Sequence, residues 1–413
     1  MANKIVNDIN GMIILNKPKG ITSNDCLTRI KKILHPKKLG HTGTLDKNAT
    51  GVLICLLGNA TKSQDYLMKS CIKTYEAELL FGISTDTDDF LGNIENSNFE
   101  KIKKIDIVEV KEVINSFVGD YKQIPPMYSS KKINGKKLLE LARSGISVER
   151  KAENLEIYNI EAYELKDYKY NEINLKCINI RVTCSKGTYI RTLCKDIGEK
   201  IGIPACMGDL CRISSGEFNI TDSITIDELN KKVNFKDFSF IKPCYYTNDK
   251  TALSFGKFET LHIGHLKIIS DVINYAKQNN IKSTIMIVGN NLDNDILTKD
   301  QRISKLKFLG VDNIIYYPLD EINKNISPSE FIREIIYKQL KTEYLVVGSD
   351  CSFGKGGIGD ARLLIDLAKE LNISLNIIDK LKVDNTNIDI SSTYIKNEFK
   401  NGNLKLVNTL LGR

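Results

Sequence analysis

Ten cysteines occur in the 413 residues, but no C-x-x-C pair; Cys206 and Cys211 are the closest spaced, and no histidine stands near them. That argues against zinc-type spacings and leaves the thiols as small buried hydrophobes, so neither disulfides nor a metal centre is expected. No apolar run approaches a membrane span, and Met1-Ala2-Asn3-Lys4-Ile5-Val6-Asn7-Asp8 lacks the apolar core of a signal peptide. A cytoplasmic protein without membrane contact is expected. There is no low-complexity tract long enough to stay unfolded. Only four histidines exist, His35, His41, His262 and His265. Three of them fall in two glycine-rich loops.

What is present is a globular composition, hydrophobic 42% and charged 27%, with a net charge of +8. The length implies two or three domains. The positive excess is compatible with a polyanionic partner without identifying one.

The first stretch with chemical content is Gly40-His41-Thr42-Gly43-Thr44-Leu45-Asp46-Lys47-Asn48-Ala49-Thr50-Gly51, followed by the apolar Val52-Leu53-Ile54-Cys55-Leu56-Leu57-Gly58. A glycine-rich loop running into a buried strand is a rigid mount for a reactive side chain, because glycine permits tight turns and close approach of a ligand. A turn with a capping aspartate explains the same string. Before it lies a strand over residues 12–15, stopped by Asn16-Lys17-Pro18-Lys19-Gly20, and then Thr22-Ser23-Asn24-Asp25 caps a helix over residues 26–34. After it come a strand over 73–81, an acidic loop over 84–89 that reads as solvated, and a helix over 107–117. A lysine-rich segment over 123–137 reads as a mobile arm suited to phosphate, and a strand over 174–182 leads to a helix carrying Tyr189 and Arg191. Elements mixed without strict alternation predict an α+β unit around a mixed, largely antiparallel sheet. A carboxylate near an arginine can act as a nucleophile, tyrosine stacks on bases, and lysine binds phosphate. Chemistry by one carboxylate on an RNA base fits these parts, which do not single it out.

Five ordered motifs carry a resemblance. Gly11-Met12-Ile13-Ile14-Leu15-Asn16-Lys17-Pro18-Lys19-Gly20, Gly40-His41-Thr42-Gly43-Thr44-Leu45-Asp46, Lys73-Thr74-Tyr75, Pro125-Pro126-Met127-Tyr128-Ser129-Ser130 and Ser185-Lys186-Gly187-Thr188-Tyr189-Ile190-Arg191 resemble those of the bacterial tRNA pseudouridine(55) synthase (TruB-type) family. The resemblance implies isomerisation of a uridine in the tRNA T-loop, with no cofactor and no DNA partner. Asp46 would be the nucleophile, Arg191 its partner, and Tyr75 the ring that stacks on the flipped base. Tyr189 and Leu210 would line the pocket, His41 would sit among the splayed loop bases, and Lys17 would contact substrate. Lys47 stands where the family has proline, and Cys211 replaces one of two adjacent arginines. The small RNA-binding (PUA) module of the family does not follow.

From residue 251 strand and helix alternate: strands over 251–255, 283–288, 313–317, 344–347 and 374–378, helices over 264–277, 301–309, 329–340 and 360–371. This predicts an α/β unit with a parallel, Rossmann-like sheet and ligands at its C-terminal strand ends. The domains are expected as residues 1–240, a linker over 241–250, and 251–413. Phe255-Gly256-Lys257-Phe258-Glu259-Thr260-Leu261-His262-Ile263-Gly264-His265 places two imidazoles and free N–H groups at a helix start, where phosphates bind.

That string, with Val346-Val347-Gly348, Phe353-Gly354-Lys355-Gly356, Ile390-Ser391-Ser392-Thr393 and Leu410-Leu411-Gly412-Arg413, resembles the FMN adenylyltransferase (FAD synthetase) half of bacterial riboflavin kinase/FAD synthetases, with the kinase half absent. The resemblance implies a site at Gly256, Phe258, His262, Gly264, His265, Ser391, Ser392 and Thr393 for ATP and FMN with a divalent cation (Mg). The chain departs from the pattern at Glu259 and Thr260, at Tyr394 and Lys396 where two arginines are expected, and at Gly289-Asn290-Asn291. Two readings of this half stand: an altered nucleotidyltransferase, and a domain retained for binding. For the whole chain, the alternative to the isomerase is a tRNA-binding folding chaperone with a non-catalytic C-terminal binding domain.

Overall fold

The computed structural model describes residues 9–69, 72–129, 131–133, 135–170, 172–289, 296–320, 322–383 and 386–412. The N-terminal octapeptide, Ser130 and Asn134 of the lysine-rich segment, Asn290-Asn291 and Arg413, all used above, lie outside the described residues. The chain divides into two compact units, Met1–Phe240 and Ile241–Arg413.

The first unit is built on a nine-stranded sheet. Its strands run in the order Gly11–Lys17, Thr50–Leu57, Ala205–Ser215, Lys73–Phe81, Ile173–Cys184, Glu153–Tyr170 and Gly119–Gln123, with Leu39–Thr42 and Phe218–Asn219 as side branches. Every pairing is antiparallel except that of Ala205–Ser215 with Thr50–Leu57. Val52 to Leu57 are each 0% exposed, which is why a continuous apolar run there forms a strand covered on both faces. Thr22 and Asp25 form a reciprocal capping box at the start of the helix Ser23–Leu34.

Two long strands were not evident in the sequence. Glu153–Tyr170 exposes most of its side chains and carries charge at many positions, so no apolar alternation marks it. Ala205–Ser215 is interrupted by register shifts between Met207 and Leu210 and between Arg212 and Ser214. The acidic loop is not simply solvated: Thr85 and Asp88 are buried. The lysine-rich segment forms a two-residue ladder, Lys132–Ile133 with Lys136–Lys137, followed by the helix Leu138–Arg143.

The second unit holds five parallel strands in the order Asn313–Tyr317, Lys282–Val288, Thr251–Gly256, Thr342–Gly348 and Ser374–Ile378. The strand order reverses direction between Thr251–Gly256 and Thr342–Gly348, the crevice where such sheets bind ligands. The helix expected over 329–340 is one α-turn, Pro328–Glu330, continued by the wider π-turns of Phe331–Gln339. Two helices beyond those expected, Ser392–Lys400 and Leu404–Leu410, close the unit. Part of the segment expected as a linker packs on this unit. Gln339 Oε1 accepts from Tyr245 N at 2.7 Å, Thr247 N donates to Gln339 O at 3.0 Å, and the Tyr245 ring packs on Tyr317. Aperiodic backbone is held there by a side-chain amide, which periodicity cannot reveal.

Candidate active site

Asp46 sits on the loop between the strands Leu39–Thr42 and Thr50–Leu57. The loop is fixed from below. Ser23 Oγ accepts from Leu45 N at 3.0 Å and bonds Leu45 O at 3.2 Å, and Ala49 N donates to Asp46 O at 3.1 Å. Arg191, in the first turn of the helix Ile190–Ile201, reaches Asp46 with Nε, 2.8 Å from Oδ2. Its other nitrogens donate to Thr87 O at 2.9 Å and Tyr128 O at 3.0 Å. The Arg191 side chain is 5% exposed and the Asp46 side chain 48%. A buried fork therefore holds a carboxylate whose other face is open.

That face opens into a cavity of ≈ 900 Å³ whose lining includes His41, Asp46, Tyr75, Tyr189, Arg191 and Leu210, so six of the residues singled out in the sequence come together. A second hollow of ≈ 410 Å³ shares Asp46, Tyr189, Arg191 and Leu210 and extends along Tyr128 and Arg143. Tyr75 is 7% exposed, and burial raises its hydroxyl above the ordinary tyrosine range, with the Arg212 charge acting against the rise. Burial also lowers His41, and Arg212 adds to the effect.

Lys17 is the exception. It is 0% exposed and lies outside the lining of both cavities. Its Nζ donates to Pro18 O and Lys47 O, each at 3.0 Å, and Gly20 N also donates to Lys47 O. Burial lowers its pKa. Lys17 therefore ties the first turn to the Asp46 loop, and position 47 contributes its carbonyl to that tie.

Arg212 was missed. It is 0% exposed, with Nε donating to Val52 O at 2.7 Å and Nη2 to Gly43 O at 2.9 Å. It thus spans the two ends of the Asp46 loop. The only signal in the sequence was its place beside Cys211, which gives no hint of burial.

In the second unit a cavity of ≈ 510 Å³ is lined by Gly256, Phe258, His262, Gly264, His265, Ser391, Ser392 and Thr393, all eight expected positions. His262 caps the helix Ile263–Gln278 by accepting from His265 N at 3.3 Å. The two imidazoles stack with centroids 3.7 Å apart. Burial lowers His262 to about 4 and His265 to about 3, so both are neutral near pH 7. Glu259 Oε2 accepts from Lys396 Nζ at 2.7 Å, and Thr260 Oγ1 meets Ser392 Oγ at 3.1 Å. Four of the sequence departures, Glu259, Thr260, Tyr394 and Lys396, are therefore in contact with the helix Ser392–Lys400 or part of it.

Residues 31–190 match the model of the TruB family pseudouridylate synthase N-terminal domain, and residues 191–241 that of the tRNA pseudouridylate synthase B C-terminal domain. Over 254 residues the chain is 41% identical to tRNA pseudouridine synthase B of Geobacillus thermodenitrificans, covering 59% of this chain and 83% of that relative. The chain belongs to the tRNA pseudouridine synthase B family. The Bacillus subtilis relative of the same name is 46% identical over 222 residues, 54% of this chain and 70% of its own. Among solved structures, a Cbf5-Nop10-Gar1 complex aligns at 28% identity with a TM-score of 0.42 over 59% of each chain. Residues 245–394 match the FAD synthetase model, so the synthase unit is followed by an FAD synthetase domain. The synthase relatives favour the isomerase over the chaperone alternative. Among the described residues no group of three or more His, Cys, Asp or Glu is placed to hold a metal ion, and no helix is long and apolar enough to cross a membrane.

Proposed function

We propose that the synthase unit converts one uridine of the tRNA T-loop to pseudouridine, with Asp46 as nucleophile. The observation that carries this reading is the half-exposed Asp46 carboxylate held at 2.8 Å by the buried Arg191 on the wall of a cavity wide enough for a nucleoside. A base flipped from a loop loses a few kcal/mol of stacking, less than from a helix. Tyr75 and Leu210 supply flat and apolar walls for it, Tyr189 a second ring, and His41 stands farther along the same cavity among the neighbouring bases. Attack by Asp46 lets the N-glycosidic bond break. The carboxylate takes the place of N1 on C1′, the detached uracil turns, C5 bonds to C1′ as the Asp46–C1′ bond breaks and frees the carboxylate, N1 takes up a proton, and the C5 proton leaves. These steps use no cofactor. The partner is tRNA rather than DNA, and the compartment is the cytoplasm. Release of tritium from 5-tritiated uridine in T-loop RNA tests the reading; no release from a substrate that a related synthase modifies overturns it.

For the second unit we propose binding of ATP and FMN, with a divalent cation such as Mg, in the ≈ 510 Å³ cavity. The neutral His262 and His265 and the Ser391-Ser392-Thr393 turn present donors at two helix starts. Lys396, which the resemblance would place on phosphate, meets Glu259 instead, and Ser392 meets Thr260. This supports a binding domain over a rapid adenylyltransferase. Incubation with FMN, ATP and Mg, followed for FAD and pyrophosphate, separates the two: rapid FAD formation overturns the binding-only reading, while nucleotide binding without FAD upholds it.

A further inference from the structure

We propose that Gln123 is a positioning residue that sets Tyr189 and Arg191 in register with Asp46; this rests on Asp46 and Arg191 being the reacting pair. Gln123 ends the edge strand Gly119–Gln123 and is 0% exposed. Its Oε1 accepts from Tyr189 N at 2.8 Å, and its Nε2 donates to Tyr189 O at 2.9 Å and to Tyr121 OH at 3.0 Å. The carboxamide thus pairs with both backbone groups of Tyr189, as a residue of a neighbouring antiparallel strand would.

Tyr189 is the residue at which the helix Ile190–Ile201 begins, and its own side chain makes no capping bond. Two more attachments come from the same short segment. Tyr121 OH donates to Asp196 Oδ2, and Tyr128 O accepts from Arg191 Nη2 at 3.0 Å. Residues 121–128 therefore grip the helix start at Tyr189, Arg191 and Asp196. Gln123 is the central grip, because it alone holds the backbone.

The consequence is geometric. Arg191 satisfies Asp46, Thr87 O and Tyr128 O together only if its Cα stays where the helix start places it. Without the carboxamide, the N–H of Tyr189 loses its partner and the C=O keeps only the helix bond from Leu193 N, so the backbone must shift to pair the N–H again. A displacement near 1 Å at a reacting pair can cost about 100-fold in rate. RNA affinity draws mainly on many contacts to phosphate spread over the surface and should change little.

Gln123→Met keeps the volume and removes all three bonds. Gln123→Glu keeps the shape; when protonated, its carboxyl can accept from Tyr189 N and donate to Tyr189 O, as the carboxamide does. The experiment measures kcat, KM and RNA Kd for the full chain, with tritium release as the assay. Gln123→Met should lower kcat roughly 10- to 100-fold, with KM and Kd within about 3-fold. Gln123→Glu, measured relative to the parent protein, should regain kcat as the pH falls from about 8 to about 5.5, since a buried carboxyl protonates readily. If Gln123→Met is unstable, the pH profile of Gln123→Glu decides. An unchanged kcat in Gln123→Met, or a flat relative profile in Gln123→Glu, overturns the proposal. Asp46→Ala run alongside separates this from the underlying reading: if that variant stays active, the Asp46 reading itself fails.

Discussion

Arg191 Nε stands 2.8 Å from Asp46 Oδ2, and the same guanidinium donates to two main-chain carbonyls, Thr87 O and Tyr128 O. One buried side chain thus joins the Asp46 loop, the acidic loop and the turn after Gln123. Lysine has one nitrogen and cannot fill three sites with planar geometry. Arg191→Lys should reduce kcat at least about 100-fold, with a buried carbonyl left unpaired at a cost of about 1–3 kcal/mol. Steady-state kinetics and a urea titration check both. Near-parental kcat would show that the charge alone suffices.

The Asp46 loop is equally dependent on its far end. Gly51 has φ +97°, and a Cβ there would lie 2.2 Å from Arg212 O. The strand pairing of Arg212 with Gly51 allows no side chain. Gly51→Ala should destabilise the synthase unit by roughly 3 kcal/mol, through backbone strain and overpacking together. Chemical denaturation measures it; a loss under about 1 kcal/mol would mean that the Arg212 strand yields easily.

Acid should weaken the FAD synthetase domain. Burial depresses His262 to about 4, against a smaller opposing pull from Asp350, and His265 to about 3, while both titrate near 6.5 when free. Below about 6.5 the unfolded chain therefore binds more protons than the folded one, and stability falls with pH down to about 3; above 6.5 the two states bind equally. Urea midpoints followed by hydrogen exchange at the amides of Ile263–Gln278 should drop between pH 7.5 and pH 5. His265→Gln should flatten the slope. No slope in the parent protein would contradict burial of the pair.

Glu259 and Lys396, 137 residues apart, form an ion pair with side chains 17% and 24% exposed. Their double-mutant cycle, built from Glu259→Gln and Lys396→Met, should give a coupling of about 1–2 kcal/mol, less than for a fully desolvated pair because solvent still screens it. A coupling near zero would make the contact incidental.

The sequence carried the local pattern well and the long-range contacts poorly. The five parallel strands of the second unit were legible because each is a short apolar run between helices. That Asp46, Tyr75, Tyr189 and Arg191 share one cavity was legible through their motifs. Lys17 lay in a motif too, yet its role was not, because a lysine in a turn looks solvent-facing until the carbonyls of Pro18 and Lys47 are found around it. Arg212 and Gln123 escaped for a related reason. Each is a polar side chain whose partners lie tens of residues away, Gly43 and Val52 in one case and Tyr189 in the other. The bond from Glu259 to Lys396 was invisible as well, although each residue was noted singly as a departure.

In the proposed reaction the Asp46 carboxylate performs the chemistry rather than merely anchoring Arg191. Asp46→Asn preserves size and can still accept a hydrogen bond from Arg191 Nε. The most direct measurement is tritium release from 5-tritiated T-loop RNA by this variant, at enzyme concentrations saturating for RNA binding. No release above background is expected while RNA affinity stays within about 3-fold of the parent protein, since phosphate contacts dominate binding. Release at a rate within tenfold of the parent would contradict it.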